Sequence, residues 1–200
     1  MFYDPILSRD STVSCATCHS PYTAFALTDH DLSHGIDGLI GHRNAPALFN
    51  LAWQDDLMWD GAVHHIDMLP LAPITNPLEM DADLTDILPK INRLPRYQNA
   101  IQAAWTTDSL TSRQFLKSLA AFQLSLVSAT ARYDSVRTGR ATFTEQENKG
   151  YALFKQHCDA CHREPLFSNY EFRRNGLAVD TTLKDTGRLA TTGTTSDRNA

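Results

Sequence analysis

Apolar residues in this chain recur mainly at the spacing of α-helices. The clearest case is residues 112–134, SRQFLKSLAAFQLSLVSATARYD, where apolar side chains return every three or four positions. That spacing places them on one side of a helix, so we predict a single long helix there. Its predicted buried face consists of Phe115, Leu116, Leu119, Phe122, Leu126 and Ala129. The alternating pattern of strands is scarce throughout, which indicates a mostly α-helical protein.

Prolines and polar runs divide the rest of the chain. Residues 69–80, LPLAPITNPLEM, contain three prolines, and we predict an extended loop there. Residues 83–105 predict a helix that is broken or kinked near Pro89 and again near Pro95. The tail, residues 180–200, is rich in Thr and Gly and shows no periodicity, which predicts neither helix nor strand.

Composition excludes some classes of protein. Hydrophobic residues make up 42% of the 200 residues and charged residues 20%, as in an ordinary globular protein of one large or two small domains. The net charge of −5 argues against a nucleic-acid partner. No apolar run approaches the ~20 residues that a transmembrane helix needs, and the first residues do not resemble a signal peptide.

All four cysteines lie in two Cys-x-x-Cys pairs, each followed at once by a histidine. The first group is Cys15, Cys18 and His19, and the second reads CDACH, ending at His162. A redox dithiol would need a strand-rich setting that the pattern lacks. A Cys₄ zinc site would join two distant pairs and leave both histidines unexplained. Covalent attachment of two c-type haems accounts for every one of these residues, including Cys158 and Cys161.

The flanks of the second motif predict a helix. Thr144 and Glu147 have the spacing of a capping box, and apolar residues follow at near-helical intervals up to the motif. We therefore predict two cytochrome c-like haem domains with long loops and little strand, residues 1–140 and 141–200. The haems would form much of each core.

Glu79 is the candidate for acid–base chemistry. It lies in the proline-rich segment APITNPLEM, where a carboxylate can be held above a haem. Splitting a peroxide O–O bond requires a group that takes a proton from one oxygen and delivers it to the other. A surface or capping glutamate is the alternative interpretation, and spacing alone leaves both open.

The chain resembles the bacterial di-haem cytochrome c peroxidases and the related MauG group. The resemblance extends over almost the whole length, through LSRDSTVSCATCH, FALTD, RNAPALFNLAW, MWDG, APITNPLEM, FTEQENKGYALFKQHCDACH and DTGR. It implies an N-terminal haem at which hydrogen peroxide reacts, with His19 as its iron ligand. It also implies a C-terminal electron-transfer haem, with His162 as its ligand.

The resemblance also assigns other positions. Trp59 corresponds to a tryptophan between the haems, Glu79 to the distal catalytic glutamate and Pro73 to a distal-pocket proline. Asn44 corresponds to a residue at a calcium site between the domains. His42 falls near a histidine that caps the first iron in some members, although an open iron is the preferred expectation here.

The sequence departs from the family pattern in two ways. Leu69 stands where many members have a distal glutamine, so proton delivery would use another group, with His64 or His65 as candidates. No methionine follows Met80 to serve as sixth ligand of the second haem. We therefore expect this chain to be a fragment of a longer protein, truncated at both ends.

Three functions remain open at this point. The leading one is an oxidoreductase that reduces hydrogen peroxide to water with electrons from a small cytochrome c or copper protein. The others are a non-catalytic electron carrier and a MauG-like enzyme that oxidises side chains of a partner protein. The resemblance further implies a periplasmic location, a bound calcium ion and a homodimer.

Overall fold

The computed structural model describes residues 1–174, 176 and 178–198, and this part of the chain is mostly helical, as predicted. The α-helices there are α1 (Cys15–Cys18), α2 (Leu71–Thr75), α3 (Leu84–Arg93), α4 (Pro95–Trp105), α5 (Ser112–Leu124), α6 (Arg132–Arg137), α7 (Glu145–His157) and α8 (Leu189–Thr192).

Short 3₁₀-helices and isolated bridges complete the regular structure. The 3₁₀-helices are Pro5–Leu7, Pro21–Thr23, Ile36–Gly38, Leu51–Trp53, Ile66–Met68 and Thr195–Asp197. Four isolated antiparallel bridges join loop residues, and no longer strand forms within the described ranges. In the same ranges no helix is both long enough and apolar enough to cross a membrane.

Two clusters of buried side chains form the core of residues 1–126. The larger cluster joins α3, α4 and α5 through residues such as Ile87, Ile101 and Phe115. The smaller one gathers Phe2 and the leucines of the loops around the 3₁₀-helix Leu51–Trp53. Cys15 packs against both clusters, so the first Cys-x-x-Cys motif lies where the two cores meet.

The predicted helix over residues 112–134 is too long, because α5 ends at Leu124. Beyond that point the backbone is hydrogen-bonded to Asn50. The Asn50 N–H donates to the Leu126 carbonyl at 2.8 Å, and Asn50 Oδ1 accepts from the Ser128 N–H at 2.9 Å. These bonds replace helical ones, and Ala129 is exposed instead of buried. Local periodicity could not reveal this competition from a distant loop.

The proline-rich segments also differ from prediction. Residues 71–75 form the short helix α2, which tolerates Pro73 because the first N–H groups of a helix have no intrahelical partner. Helix α3 continues through Pro89 without a break, whereas the break near Pro95 is confirmed. Leu94 separates the two helices in an extended conformation, as a residue preceding proline prefers.

The second motif follows α7, whose capping box is confirmed. The Thr144 hydroxyl accepts from the Glu147 N–H at 3.2 Å, and the Glu147 carboxylate accepts from the Thr144 N–H at 2.7 Å. The tail was predicted to lack helix, and this is wrong for its described part. Helix α8 and the 3₁₀-helix Thr195–Asp197 form there, and residues 199 and 200 lie outside the described chain.

Candidate haem site

A cavity of about 500 Å³ opens beside α1, within the roughly 300–1,000 Å³ typical of cofactor sites. Its wall includes both cysteines of the first motif and carries mostly apolar groups elsewhere. The residues predicted from sequence that line it are Cys15, Cys18, His19, His42, Asn44, Trp59, Pro73 and Glu79. Folding therefore brings together side chains from four separate segments of the chain.

The first motif holds its histidine in a defined orientation. The His19 N–H donates to the Cys15 carbonyl at 2.9 Å, and His19 Nδ1 lies 2.8 Å from the carbonyl oxygen of Phe25. This contact engages Nδ1 and leaves Nε2 as the nitrogen available to a metal. Burial lowers the pKa of His19, which favours the neutral imidazole that a metal requires. Burial also raises the pKa of the Cys15 thiol to about 11.

The second motif repeats this local geometry in a different environment. The His162 N–H donates to the Cys158 carbonyl at 2.9 Å, and His162 Nδ1 lies 3.2 Å from the carbonyl oxygen of Phe167. Cys158, Cys161 and His162 are exposed, however, and none of them lines the first cavity. The two motifs therefore share a backbone design but present their side chains to different surroundings.

Glu79 is half-buried in the cavity wall and is held by Asn76. The Asn76 Nδ2 donates to Glu79 Oε1 at 2.7 Å, while Asn76 Oδ1 accepts from the Leu78 N–H at 3.0 Å. The Asn76 carbonyl also accepts from the Glu79 N–H at 3.0 Å. Desolvation raises the pKa of Glu79 despite the hydrogen bond from Asn76. Asn76 thus orients the carboxylate without cancelling the effect of burial.

The loop that follows the first motif contacts the backbone of Glu79. The Ile36 N–H donates to the Glu79 carbonyl at 2.8 Å. A Cβ atom on Gly35 would overlap the Leu78 carbonyl oxygen and lie 2.5 Å from that of Glu79. Only glycine permits this approach, so the cysteine-bearing and glutamate-bearing segments are in direct backbone contact.

Trp59 lines the cavity with its side chain about half exposed. Its indole Nε1 donates to the Asn44 carbonyl at 2.8 Å, and the Asn44 Nδ2 in turn donates to the His30 carbonyl at 2.9 Å.

No group of three or more His, Cys, Asp or Glu side chains in the described ranges could hold a metal ion. Calcium at Asn44 stays a prediction, as does the role of His42, which lines the cavity.

An arginine beside this site ties the two halves of the chain together. Arg43 contacts Asp185 through two bonds of 2.6 and 2.7 Å and Asp60 through one of 2.8 Å. Arg188 extends the network, because it donates to the Asp60 carbonyl at 2.8 Å and stacks on Phe172. The hydrogen bond from Arg43 is the main cause of the lowered pKa of Asp185.

Sequence reasoning missed several residues of the cavity wall, among them Asn76, Gly35 and Gln123. Gln123 is 6% exposed and lines the cavity, and its Oε1 has no hydrogen-bond partner among the described residues. A polar residue in a helix is usually predicted to lie on the surface. Gln123, however, follows the buried Ala120 and Leu119 by three and four residues, which places it on the same face of the helix. That spacing was the available signal.

The residues present fit a haem in this cavity. The wall offers two thiols for attachment, an imidazole whose pKa is lowered by burial for ligation, and mostly apolar side chains around the macrocycle. His64 and His65, the sequence candidates for proton delivery, do not line it. His64 is exposed and pairs with Asp56 at 2.6 Å.

Comparison with known proteins agrees with these observations. The sequence profile described as di-haem cytochrome c peroxidase matches residues 1–142. The methylamine utilization protein MauG of Methylophilus methylotrophus is 32% identical over 195 residues, covering 95% of this chain and 57% of that protein. The cytochrome c peroxidase Ccp of Escherichia coli is 29% identical over 206 residues, covering 99% of this chain and 44% of that protein.

Solved structures show the same fold. A MauG-like protein associated with microbial copper homeostasis superposes with a TM-score of 0.84 at 26% identity, covering 99% of this chain and 64% of that chain. The di-haem peroxidase BthA of Burkholderia thailandensis superposes with a TM-score of 0.81 at 24% identity, covering 96% and 58%. The chain thus spans about half the length of the curated relatives it matches. Because the family profile matches residues 1–142 of the 200, this protein belongs to the di-haem cytochrome c peroxidase family.

Proposed function

We propose that the protein reduces hydrogen peroxide to water, with two electrons and two protons consumed per peroxide. The reaction takes place in the cavity of the first motif, and electrons enter at the second motif from a small cytochrome c or copper protein. The observation that carries this proposal is the presence of Glu79, a half-buried carboxylate with a raised pKa, in the same cavity as His19.

Glu79 suits the transfer of a proton between the two peroxide oxygens. Its Oε1 is occupied by the Asn76 amide, which fixes the plane of the carboxylate and leaves Oε2 for proton exchange. A raised pKa brings the group closer to the operating pH, where one residue can act both as base and as acid. Neighbouring apolar residues, Leu69 and Pro73 among them, limit competition from water.

His19 and the two cysteines are the residues that would hold the haem. Cys15 and Cys18 would hold the macrocycle through thioether links, and His19 would ligate the iron through Nε2, since Nδ1 contacts the Phe25 carbonyl. A haem bound there supplies redox chemistry at an iron that can accept an oxygen ligand. The protein contributes orientation, an apolar surrounding and the proton-carrying carboxylate.

Trp59 is the proposed relay for electrons between the two motifs. It lines the first cavity, and the adjacent Asp60 is bound by Arg43 and by Arg188. Arg43 and Arg188 tie this segment to the chain that follows the second motif. An aromatic side chain held at that junction is well placed to shorten the electron path. The exposed surface of Cys158, Cys161 and His162 is open to a donor protein.

Replacement of Glu79 tests the proposal in the full-length protein with both haems attached. Glu79→Gln keeps the shape of the side chain and the acceptor for Asn76 but cannot exchange the proton. We expect peroxide turnover to fall by about a hundredfold or more, with haem content unchanged. Glu145→Gln is the matched control, because Glu145 is exposed and pairs with Lys149 one helical turn away. Turnover in Glu79→Gln within a few fold of the parent would refute the assignment.

A second function is favoured by the relatives named MauG, two of which are 32% and 31% identical to this chain. In it, the same cavity would generate the oxidant, and the electrons would come from side chains of a partner protein. Rapid oxidation of a reduced small cytochrome by peroxide supports the peroxidase. Failure of that reaction with intact haems supports the alternative.

The cellular setting is part of the proposal. Covalent c-type haems and membership of this family support a periplasmic location. Calcium near Asn44 and a homodimer are further predictions of the family resemblance. Calcium can be tested by removal with a chelator, followed by measurement of haem spectra and activity.

A further inference from the structure

Glu164 is a carboxylate that the proposed reaction does not use, and side chains from two helices bind it. It lies two residues after His162, and its side chain is 15% exposed. The Tyr133 hydroxyl of α6 donates to Glu164 Oε1 at 2.6 Å. From α7, the Tyr151 hydroxyl donates to the same oxygen at 2.9 Å, and Lys155 Nζ donates to Oε2 at 3.1 Å. The carboxylate therefore joins α6 and α7 to the loop that follows the second motif.

The same loop carries the carbonyl that orients His162. His162 Nδ1 lies 3.2 Å from the Phe167 carbonyl oxygen. Because a carbonyl can only accept, Nδ1 must carry the proton, and Nε2 is left for a metal. With the thiols of Cys158 and Cys161 beside it, this imidazole fits a covalently attached haem, as the first motif does.

The carbonyl that contacts the imidazole has the same unusual backbone conformation in both motifs. Phe25 and Phe167 have φ angles of 57° and 56°, in the left-handed region that bulky residues rarely adopt. Such a conformation persists only where the surroundings hold it in place. The contact between Phe167 and His162 therefore depends on what packs against Phe167.

The packing of these two phenylalanines differs. Phe25 packs against the smaller buried cluster of the core. Phe167 is 37% exposed, and its ring makes edge contacts with Tyr133 and Phe154 at centroid distances of 4.8 and 5.5 Å. Tyr133 is the same residue whose hydroxyl donates to Glu164. The position of Phe167 thus depends on a tyrosine that Glu164 holds.

We propose that Glu164 is a positioning residue for the iron ligand of the second haem. Through Tyr133 it fixes Phe167, whose carbonyl holds the His162 imidazole in one orientation. A carbonyl acceptor at Nδ1 makes the imidazole more basic, which stabilises ferric iron relative to ferrous iron. Glu164 acts through the hydrogen bonds that it accepts rather than through its charge. This inference rests on the haem proposed at the second motif but not on peroxide turnover.

The midpoint potential of the second haem tests this role in the full-length protein with both haems attached. Glu164→Ala removes the acceptor for both tyrosines, which should weaken the contact between His162 and Phe167. We expect the reduction equilibrium of the second haem to shift roughly three- to tenfold toward the ferrous form, the range that one ordinary hydrogen bond supports. Glu145→Ala is the matched control, because Glu145 is exposed on α7 and pairs with Lys149.

Glu164→Gln separates the hydrogen bonds from the charge. It removes the charge but keeps Oε1, which accepts from both tyrosines, so its potential should stay close to that of the parent. The electron paramagnetic resonance signal of the ferric second haem responds to the orientation of the His162 ring. It should change in Glu164→Ala and be retained in Glu164→Gln. Equal shifts in the two variants would assign the effect to charge and overturn the proposal, as would an unchanged potential in Glu164→Ala or a second motif without haem.

A further variant covers an alanine protein that fails to fold. Tyr133→Phe keeps the ring beside Phe167 and loses only the hydroxyl that donates to Glu164. Its potential should move in the same direction by a smaller amount, and no change counts against the proposal. Potential and spectrum are measured without peroxide, so their outcome does not depend on turnover. A Glu164-dependent potential in a protein that reduces no peroxide would support this inference and refute the proposed function.

Discussion

Arg43 and Asp185 form a two-point ion pair between segments 142 residues apart, with Nε–Oδ2 and Nη2–Oδ1 distances of 2.6 and 2.7 Å. Asp60 occupies the remaining side of the guanidinium at 2.8 Å. All three side chains are less than a third exposed, so solvent screens the charges only in part. The pair connects the segment that carries Trp59 with the segment that follows the second motif.

Loss of this arginine should destabilise the protein. Arg43→Ala removes the cation that pairs directly with the carboxylates of Asp60 and Asp185, both partly buried, and we expect a loss of about 2–3 kcal/mol in the free energy of unfolding, measured by denaturant titration. Arg9→Ala is the control, because Arg9 also joins two aspartates, Asp37 and Asp81, but at an exposed site. Its effect should be clearly smaller. Equal effects would show that burial does not decide the strength of the Arg43 pair.

Glu79 should make stability depend on pH. In the unfolded chain its carboxyl ionises near 4.5, whereas burial raises its pKa in the folded protein. Between these two values the folded state retains a proton that the unfolded state has released. Stability is therefore lost as the pH rises through that window. Glu79→Gln should be more stable than the parent above the window, and the difference should vanish below pH 4.5. Denaturation curves across pH provide the measurement, and a difference independent of pH would contradict this account.

Gly35 should be required for the position of Glu79. Gly35→Ala introduces a methyl group against the carbonyl oxygens of Leu78 and Glu79, which must move apart. We expect lower stability and reduced peroxide turnover, because the Ile36–Glu79 hydrogen bond is lost with the displacement. Gly150→Ala on α7 is the control, since nothing lies within 4 Å of a Cβ there and alanine favours helix. A fully active Gly35→Ala variant would show that the loop adapts without cost.

The cysteines should attach one haem at each motif. Replacing Cys15 and Cys18 with serine should remove one covalently bound haem, and replacing Cys158 and Cys161 should remove the other. The mass of the denatured chain measures the number attached. The first pair is more buried than the second, so its replacement should also reduce stability more. Retention of both haems after either double replacement would exclude thioether attachment at that motif.

Trp59 should affect electron transfer more than peroxide binding. Trp59→Phe removes the indole and its hydrogen bond to Asn44 but retains an aromatic ring. We expect slower oxidation of the second haem by peroxide, followed by stopped-flow absorbance, with fluoride affinity at the first haem unchanged. The exposed Trp53 provides the control replacement. An unchanged rate in Trp59→Phe would exclude the relay role.

Short-range patterns account for much of what could be predicted. Helical periodicity and caps indicated the mostly α-helical fold, the helix before the second motif and the break before Pro95. The paired Cys-x-x-Cys-His motifs indicated haem, because ligand chemistry depends on residue type and close spacing. Both kinds of signal depend on residues that are close together in the sequence, so they can be recognised without knowledge of the tertiary structure.

Long-range packing decided the remainder. Asn50 ends α5 early by bonding to Leu126 and Ser128 across the fold, which no pattern within the helix could show. Gln123 became a cavity residue because the helix face that it shares with Leu119 turns inward.

By itself, then, the sequence determined the helical character, the two haem motifs and the family. Only the tertiary structure decided that Cys15, His19, Trp59 and Glu79 share one cavity, and that Asn76 and Gly35 hold the glutamate there. The physical reason is that burial, and the pKa shifts and hydrogen bonds that follow from it, depends on segments distant in the chain. Those segments meet only when the hydrophobic core assembles.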